Sequence, residues 1–217
     1  MTTNRHARYT SVFSTKPGLR GVLAALAGAG ATAATIACAL AAPAVREPAK
    51  AECSGTSSAT TSVQHDWDFL VGRWNVKHRR LKARLAGSTE WEEFNGTSTE
   101  WLTMGGAGTF DDNVIELPSG TYRAVGIRAY DPKSRQWSIW WLDERHPTAI
   151  EPPVMGGFKD GTGIFVGDDT LNGRPIKVRF RWSKITANSA HWDQAFSPDN
   201  GATWEINWDM DFTRVSR

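Results

Sequence analysis

From residue 65 onward the chain alternates between apolar and polar positions. Ile176, Val178, Phe180 and Trp182 take every second place, with Lys177, Arg179 and Arg181 between them, and Trp204, Ile206, Trp208, Met210 and Phe212 interleave with Glu205, Asn207, Asp209 and Asp211. A period of two is that of a strand whose two faces meet different surroundings. Turn chemistry punctuates these runs at short intervals: Asn172-Gly173, Asp160-Gly161, Pro118-Ser119-Gly120 and Asp131-Pro132-Lys133-Ser134. A two-residue type I′ turn needs positive φ at both central positions, so Asn-Gly and Asp-Gly predict tight hairpins. Strands are predicted over 73–81, 90–104, 113–117, 122–130, 136–143, 154–159, 163–171, 176–185, 189–196 and 204–213. No amphipathic stretch is long enough to supply a layer of helices. Some ten short strands in one open sheet would leave exposed edges, which closure removes. The pattern therefore predicts an all-β fold, a roughly ten-stranded antiparallel up-and-down barrel.

Residues 137–142 (Trp-Ser-Ile-Trp-Trp-Leu) are apolar on both faces. An aromatic on the outer face implies cover from the linker, a loop or a second copy of the chain, so a homodimer stays open. All eleven Trp lie between Trp67 and Trp208, which makes aromatic surface the main apolar asset of this segment.

The N-terminus reads differently. Arg5, Arg8, Lys16 and Arg20 stand without an acid in the first twenty residues, and residues 21–42 carry no charge and are rich in Ala and Gly. This is the layout of a signal peptide over residues 1–44, cut after Ala41 or Ala44, and it predicts an exported, extracytoplasmic protein. The alternatives are an uncleaved membrane anchor or a lipid on Cys38. Residues 45–64, rich in Ala, Ser and Thr, read as a disordered linker. Residues 65–217 then form the folded domain, which contains neither Cys38 nor Cys53 and so has no disulfide or cysteine metal site. A net charge of +2 and a pI near 8.6 give no argument for a nucleic-acid partner. The basic run Lys77 to Arg84, placed on a strand, spreads its charge over both faces.

The segment Asp68-Phe69-Leu70-Val71-Gly72-Arg73-Trp74 opens the first predicted strand, and Asp211-Phe212-Thr213-Arg214 closes the last. Together they resemble the calycins, the superfamily of lipocalins and fatty-acid-binding proteins. In that superfamily a Gly-x-Trp element closes one barrel end under a basic residue from the last strand. The matching positions are Gly72, Trp74 and Arg214, and the role so implied is structural. Together with Tyr130-Asp131-Pro132, Trp137 to Trp141 and Gly167-Asp168-Asp169-Thr170, the segment from His65 is similar to an uncharacterised bacterial family of calycin-like domains. That resemblance implies a barrel and brings no established activity. Ser197-Pro198-Asp199-Asn200-Gly201-Ala202-Thr203-Trp204 matches the Asp-box repeated in sialidases and other propellers. One copy cannot build a propeller, so here it predicts a structural hairpin loop.

Candidate chemistry is sparse. The five His show no metal-ligand spacing, and no nucleophile elbow, phosphate loop or dinucleotide fingerprint occurs, so neither metal nor cofactor is expected. Polar side chains interleaved with Trp and Tyr in central strands are the natural inward exceptions in a barrel with a ligand cavity. Arg128, Tyr130, Trp140, Trp182, Gln194 and Asn207 are the expected lining, with Arg128 pairing an acidic head group, Gln194 and Asn207 hydrogen-bonding it, and the aromatics stacking. The first expectation is thus a protein that binds a small, partly apolar molecule. The second is an enzyme on the same scaffold, since calycin barrels also host isomerases and decarboxylases, with Asp169, Glu205 or His191 as acid or base. The third is a barrel packed solid with its own Trp, acting as a structural or interaction module. Asp168 and Asp169 are adjacent on a strand, so their side chains point to opposite faces.

Overall fold

The computed structural model describes residues 65–217; the expected signal peptide (1–44) and linker (45–64) lie outside the described residues. Ten strands follow one another: β1 (Gly72–Leu81), β2 (Trp91–Thr103), β3 (Gly108–Leu117), β4 (Gly120–Asp131), β5 (Gln136–Asp143), β6 (Val154–Lys159), β7 (Thr162–Leu171), β8 (Arg174–Ser183), β9 (Ser189–Ser197) and β10 (Glu205–Ser216). Each pairs antiparallel with its chain neighbours, and β10 returns to pair with β1, so the sheet closes into an up-and-down barrel as the alternation predicts. The hairpin signals sit where their chemistry requires. Leu171 pairs with Arg174 across Asn172-Gly173, and Lys159 with Thr162 across Asp160-Gly161. All four turn residues have positive φ.

Two departures from the sequence pattern matter for the interior. β3 begins at Gly108, five residues before the predicted start at Asn113, because pairing with β2 and β4 draws Thr109, Asp111 and Asp112 into the ladder against their own weak strand preference. In β10 the register shifts between Ile206 and Trp208. That bulge sets Ile206 opposite Ala195, 39% exposed, while Trp208 lies opposite Gln194 on the inner face. The expectation that Ile206 shares a face with Trp208, Met210 and Phe212 is therefore corrected: one inserted residue reverses the alternation.

One end of the barrel is plugged. The turn at residues 65–70 carries Trp67 (0% exposed) into the mouth of the wall, where its ring meets Phe165 at 5.6 Å, Phe158 at 5.0 Å, Trp182 at 5.8 Å and Trp137 at 6.1 Å. Asp66 accepts the Trp137 indole N–H at 3.0 Å, and the Trp74 N–H donates to Leu70 O at 2.6 Å. Arg214 lies over Trp74 with its guanidinium carbon 4.0 Å from the ring centre, and donates to the carbonyls of Val71 (2.5 Å), Phe69 and Ala187 (2.6 Å). Gly72 is required at this seam: its φ is +114°, and a Cβ there would fall 2.4 Å from Ser216 O. Gly72, Trp74 and Arg214 are thus arranged as the calycin resemblance implies.

The outer wall carries an apolar row across four strands: Trp101, Phe110, Ile127 and Trp140 are successive register partners on β2 to β5. The first three are 40–42% exposed, and Trp101 stacks on Phe110 at 5.0 Å.

Candidate functional site

Beyond the plug the barrel is not filled. An interior cavity of about 150 Å³ is walled on one side by Trp192, Trp208, Phe180, Trp182, Phe212 and Val178, from β8, β9 and β10. On the other side stand Ser98, Asp111, Asn113, Gly126, Arg128 and Trp141, from β2 to β5.

The polar wall is built around one buried cation. Glu100 pairs with Asp111, Asp111 with Gly126 and Thr109 with Arg128, which places all these inward-facing positions on adjacent strands. Arg128 Nη1 lies 3.0 Å from each Glu100 carboxylate oxygen, 2.7 Å from Asp111 Oδ2 and 3.3 Å from Thr109 Oγ1. Its guanidinium carbon sits 4.5 Å above the Trp67 ring, so the plug and the cluster share one residue. Asp111 Oδ1 accepts from Gly126 N at 2.8 Å and from the Asn113 side-chain amide. Gly126 has to lack a side chain: a Cβ would stand 2.8 Å from both Asp111 carboxylate oxygens. Burial pushes the Glu100 carboxyl up to about 8, Arg128 pulling it down and Asp111 adding to the rise. With Glu100 protonated, Arg128 and Asp111 cancel, and the cluster meets the apolar interior as a neutral unit.

His78 belongs to the same wall. It stacks on Phe94 at 4.8 Å and accepts the Trp208 indole N–H at Nδ1 (3.3 Å). Burial, then the charge of Arg80, lowers its pKa to about 4, so it faces the cavity as a neutral ring.

The cavity opens through the wall. β5 pairs with β6 at three positions only, Trp137 to Ile139. β6 in turn pairs with β7 no further than Val166. Trp140–Asp143 and Gly167–Leu171 continue past β6, and residues 144–153 connect β5 to β6 on this side. Glu151, Pro152 and Asp169 line this side of the cavity, with Asp168 at its outer rim. Asp168 is held by Lys177 at 2.6 Å and Asp143 by Arg145 at 2.5 Å. Burial raises the Glu151 carboxyl, with Asp169 and Asp143 adding to it; burial also raises Asp169, against the bond it accepts from Thr170 N at 2.6 Å.

Of the side chains expected to line a cavity, Arg128, Trp182 and Gln194 do so. Arg128 is already engaged by Asp111 and Glu100, which corrects its expected pairing with an acidic head group. The inward placement of Trp140 is also corrected. It is the register partner of outward Ile127, and its neighbour Trp141 takes the interior, because two adjacent aromatics cannot share one face of a strand. Tyr130 packs on Trp137 at 5.4 Å, toward the plug. Asn207 is fully buried in the β10 bulge, where it accepts from Gln194 Nε2 at 2.8 Å, fixing that side chain rather than lining the space.

Of the three acid–base candidates, Asp169 stands at the opening. Glu205 accepts the Leu85 amide at 2.7 Å. His191 lies on the outer wall, 2.7 Å from Asp211, in an open charged groove that also holds the Arg79–Asp209 pair. The Asp-box forms the β9–β10 loop. Asp199 accepts from Thr203 N (2.8 Å), Thr203 Oγ1 (2.6 Å) and Ser197 Oγ (2.7 Å), and Trp204 donates to Gly201 O (3.0 Å). The Thr203 bonds first, and that of Ser197 after them, hold the Asp199 carboxyl down at about 2.

Sequence reasoning missed Glu100 and Asp111. Glu100 shares the parity of Phe94, Gly96 and Ser98, so the signal was present in β2. Asp111 lay in the stretch of β3 that propensity left out.

No protein-family model matches the chain, and no curated protein matches it. Among solved structures it is similar to that of EF1p2_mFAP2b bound to DFHBI, with 9% identity over 70% of this chain and 98% of that one and a TM-score of 0.38. It is also similar to the S-type phycobiliprotein lyase CPES from Guillardia theta, with 11% identity over 71% of this chain and 93% of that one and a TM-score of 0.48.

Proposed function

We propose that this chain is an exported, calycin-type binding protein that holds a small aromatic molecule, one ring in size, inside its barrel. The observation that carries the reading is the aromatic-walled cavity of about 150 Å³ beside a polar wall in which Arg128 Nη1 is held by Asp111 and Glu100. Space of that size between apolar side chains accepts a benzene-sized guest, whereas extended lipid chains need more room. Trp192, Trp208 and Trp141 offer ring faces and edges, and Gln194 and Asn113 offer the few polar groups that orient a guest. The arginine-over-tryptophan seam at the plugged end supports calycin kinship, and the basic-then-apolar N-terminus supports export.

The test is a thermal-shift titration of the purified protein with 2-phenylethanol. A guest that binds only the folded state raises the melting temperature steadily with the logarithm of its concentration. The reading predicts that rise at millimolar guest, and its loss in Val178→Phe, where the new ring occupies the cavity. A flat titration of the unsubstituted protein would refute it.

A further inference from the structure

We infer that the guest of this cavity is an organic cation, an aromatic ring bearing an ammonium group, which enters between β5 and β7 with its charge left at Glu151 and Asp169. This inference rests on the cavity-binding reading and adds the charge of the ligand to it.

The cavity itself shows where charge is wanted. Its deep end is balanced: Arg128, the one guanidinium in the lining among the described residues, is met by Asp111 at 2.7 Å and by both oxygens of Glu100. An acidic guest would have to compete with Asp111, which already balances Arg128, and would find no other cation in the lining, since His78 is held neutral. At the opening the balance is different. Asp168 has Lys177 and Asp143 has Arg145, but Glu151 and Asp169 face the same opening with no cation paired to either among the described residues. Asp169 is half-buried and Glu151 stands at the exposed rim, and the charge of Asp169 adds to the rise of the Glu151 carboxyl. Two carboxylates that line the mouth of one aromatic-walled chamber, neither with a cation of its own, gain from a cation placed there.

The walls favour the same class of guest. Trp141 lies on the strand that borders the opening, and Trp192, Trp208 and Phe180 stand further in. Ring faces attract a cation as well as an apolar body. A guest with its ring among the indoles and its ammonium at the carboxylates spans the cavity from depth to mouth. Asp169 reaches the inner side because it alternates with Asp168, whose partner Lys177 lies on the outer face of β8 beside inward Ile176 and Val178.

The experiment is calorimetric titration of the purified protein at neutral pH with three guests of one shape: phenethylamine, 2-phenylethanol and phenylacetate. Phenethylamine is expected to bind roughly tenfold or more tightly than the alcohol, and phenylacetate more weakly than either. In Glu151→Gln/Asp169→Asn the ratio of amine to alcohol affinity is expected to fall close to one. Equal or tighter binding of phenylacetate, or an amine preference that survives the double substitution, would overturn the inference. Alcohol binding without an amine advantage removes the charge assignment alone. Absence of binding by all three removes the cavity-binding reading with it.

Discussion

The two ends of this barrel solve the same problem in opposite ways. At the plugged end Trp67, Trp74, Trp137, Phe165 and Trp182 fill the interior with rings, and their indole N–H groups, where satisfied, donate to the nearby chain at Leu70 and Asp66. In the other half the inward positions hold Ser98, Asp111, Gly126 and Asn113, small or committed to one another, and a cavity remains. Both halves lie on the same ten strands. What differs is residue size on the inner face and the presence of a charge cluster whose geometry cannot collapse without breaking its bonds. The first half supplies stability and the second supplies room, and Arg128 on the Trp67 ring couples them.

That comparison can be broken by substitution. The largest effects fall on the two residues at the junction. Trp67→Ala leaves a void among the rings of Phe69, Trp137, Phe158, Phe165 and Trp182 and should cost about 3–5 kcal/mol in a denaturant titration. Arg128→Met leaves Asp111 buried without its cation, beside a neutral Glu100, and should cost a similar ~3–5 kcal/mol.

Val178→Phe adds volume to the hollow half and should cost less, at most about 1–3 kcal/mol, because the new ring has space to enter. A solid core at that position would give a larger loss in the same titration.

The smallest effect at acidic pH is expected of Glu100→Gln, which keeps an oxygen acceptor for Arg128. A carboxyl raised from 4.5 to about 8 in the folded state contributes stability that is whole below about pH 4.5 and is lost as pH rises through about 8. The variant should therefore show a flatter stability profile between pH 5 and pH 8 than the unsubstituted protein, measured by denaturant midpoints across that window.

Much of the wall was legible in the sequence, and for local reasons. Asn172-Gly173 and Asp160-Gly161 carry positive φ that few other residue pairs accept, so they mark hairpins with no reference to the rest of the chain. The face assignments failed where non-local pairing decides. Trp140 and Trp141 are both aromatic, and only the register with Ile127 and Gly126 tells which one turns inward. Ile206 fits the alternation of β10, yet a bulge that no residue type announces turns it out. Asp111 and Glu100 read as solvated charges until Arg128, on the second strand from Glu100, is seen to hold both. A buried ion cluster is a property of three strands in register, and a single strand's pattern does not contain it.

The most direct measurement is the anomalous diffraction of crystals of this protein pressurised with xenon, an apolar probe that settles against apolar walls in cavities of this size. The account predicts a xenon peak inside the barrel, in the space bounded by Trp192, Trp208, Phe212 and Val178. A wall closed over side chains that fill that space, with no xenon inside it, would contradict it.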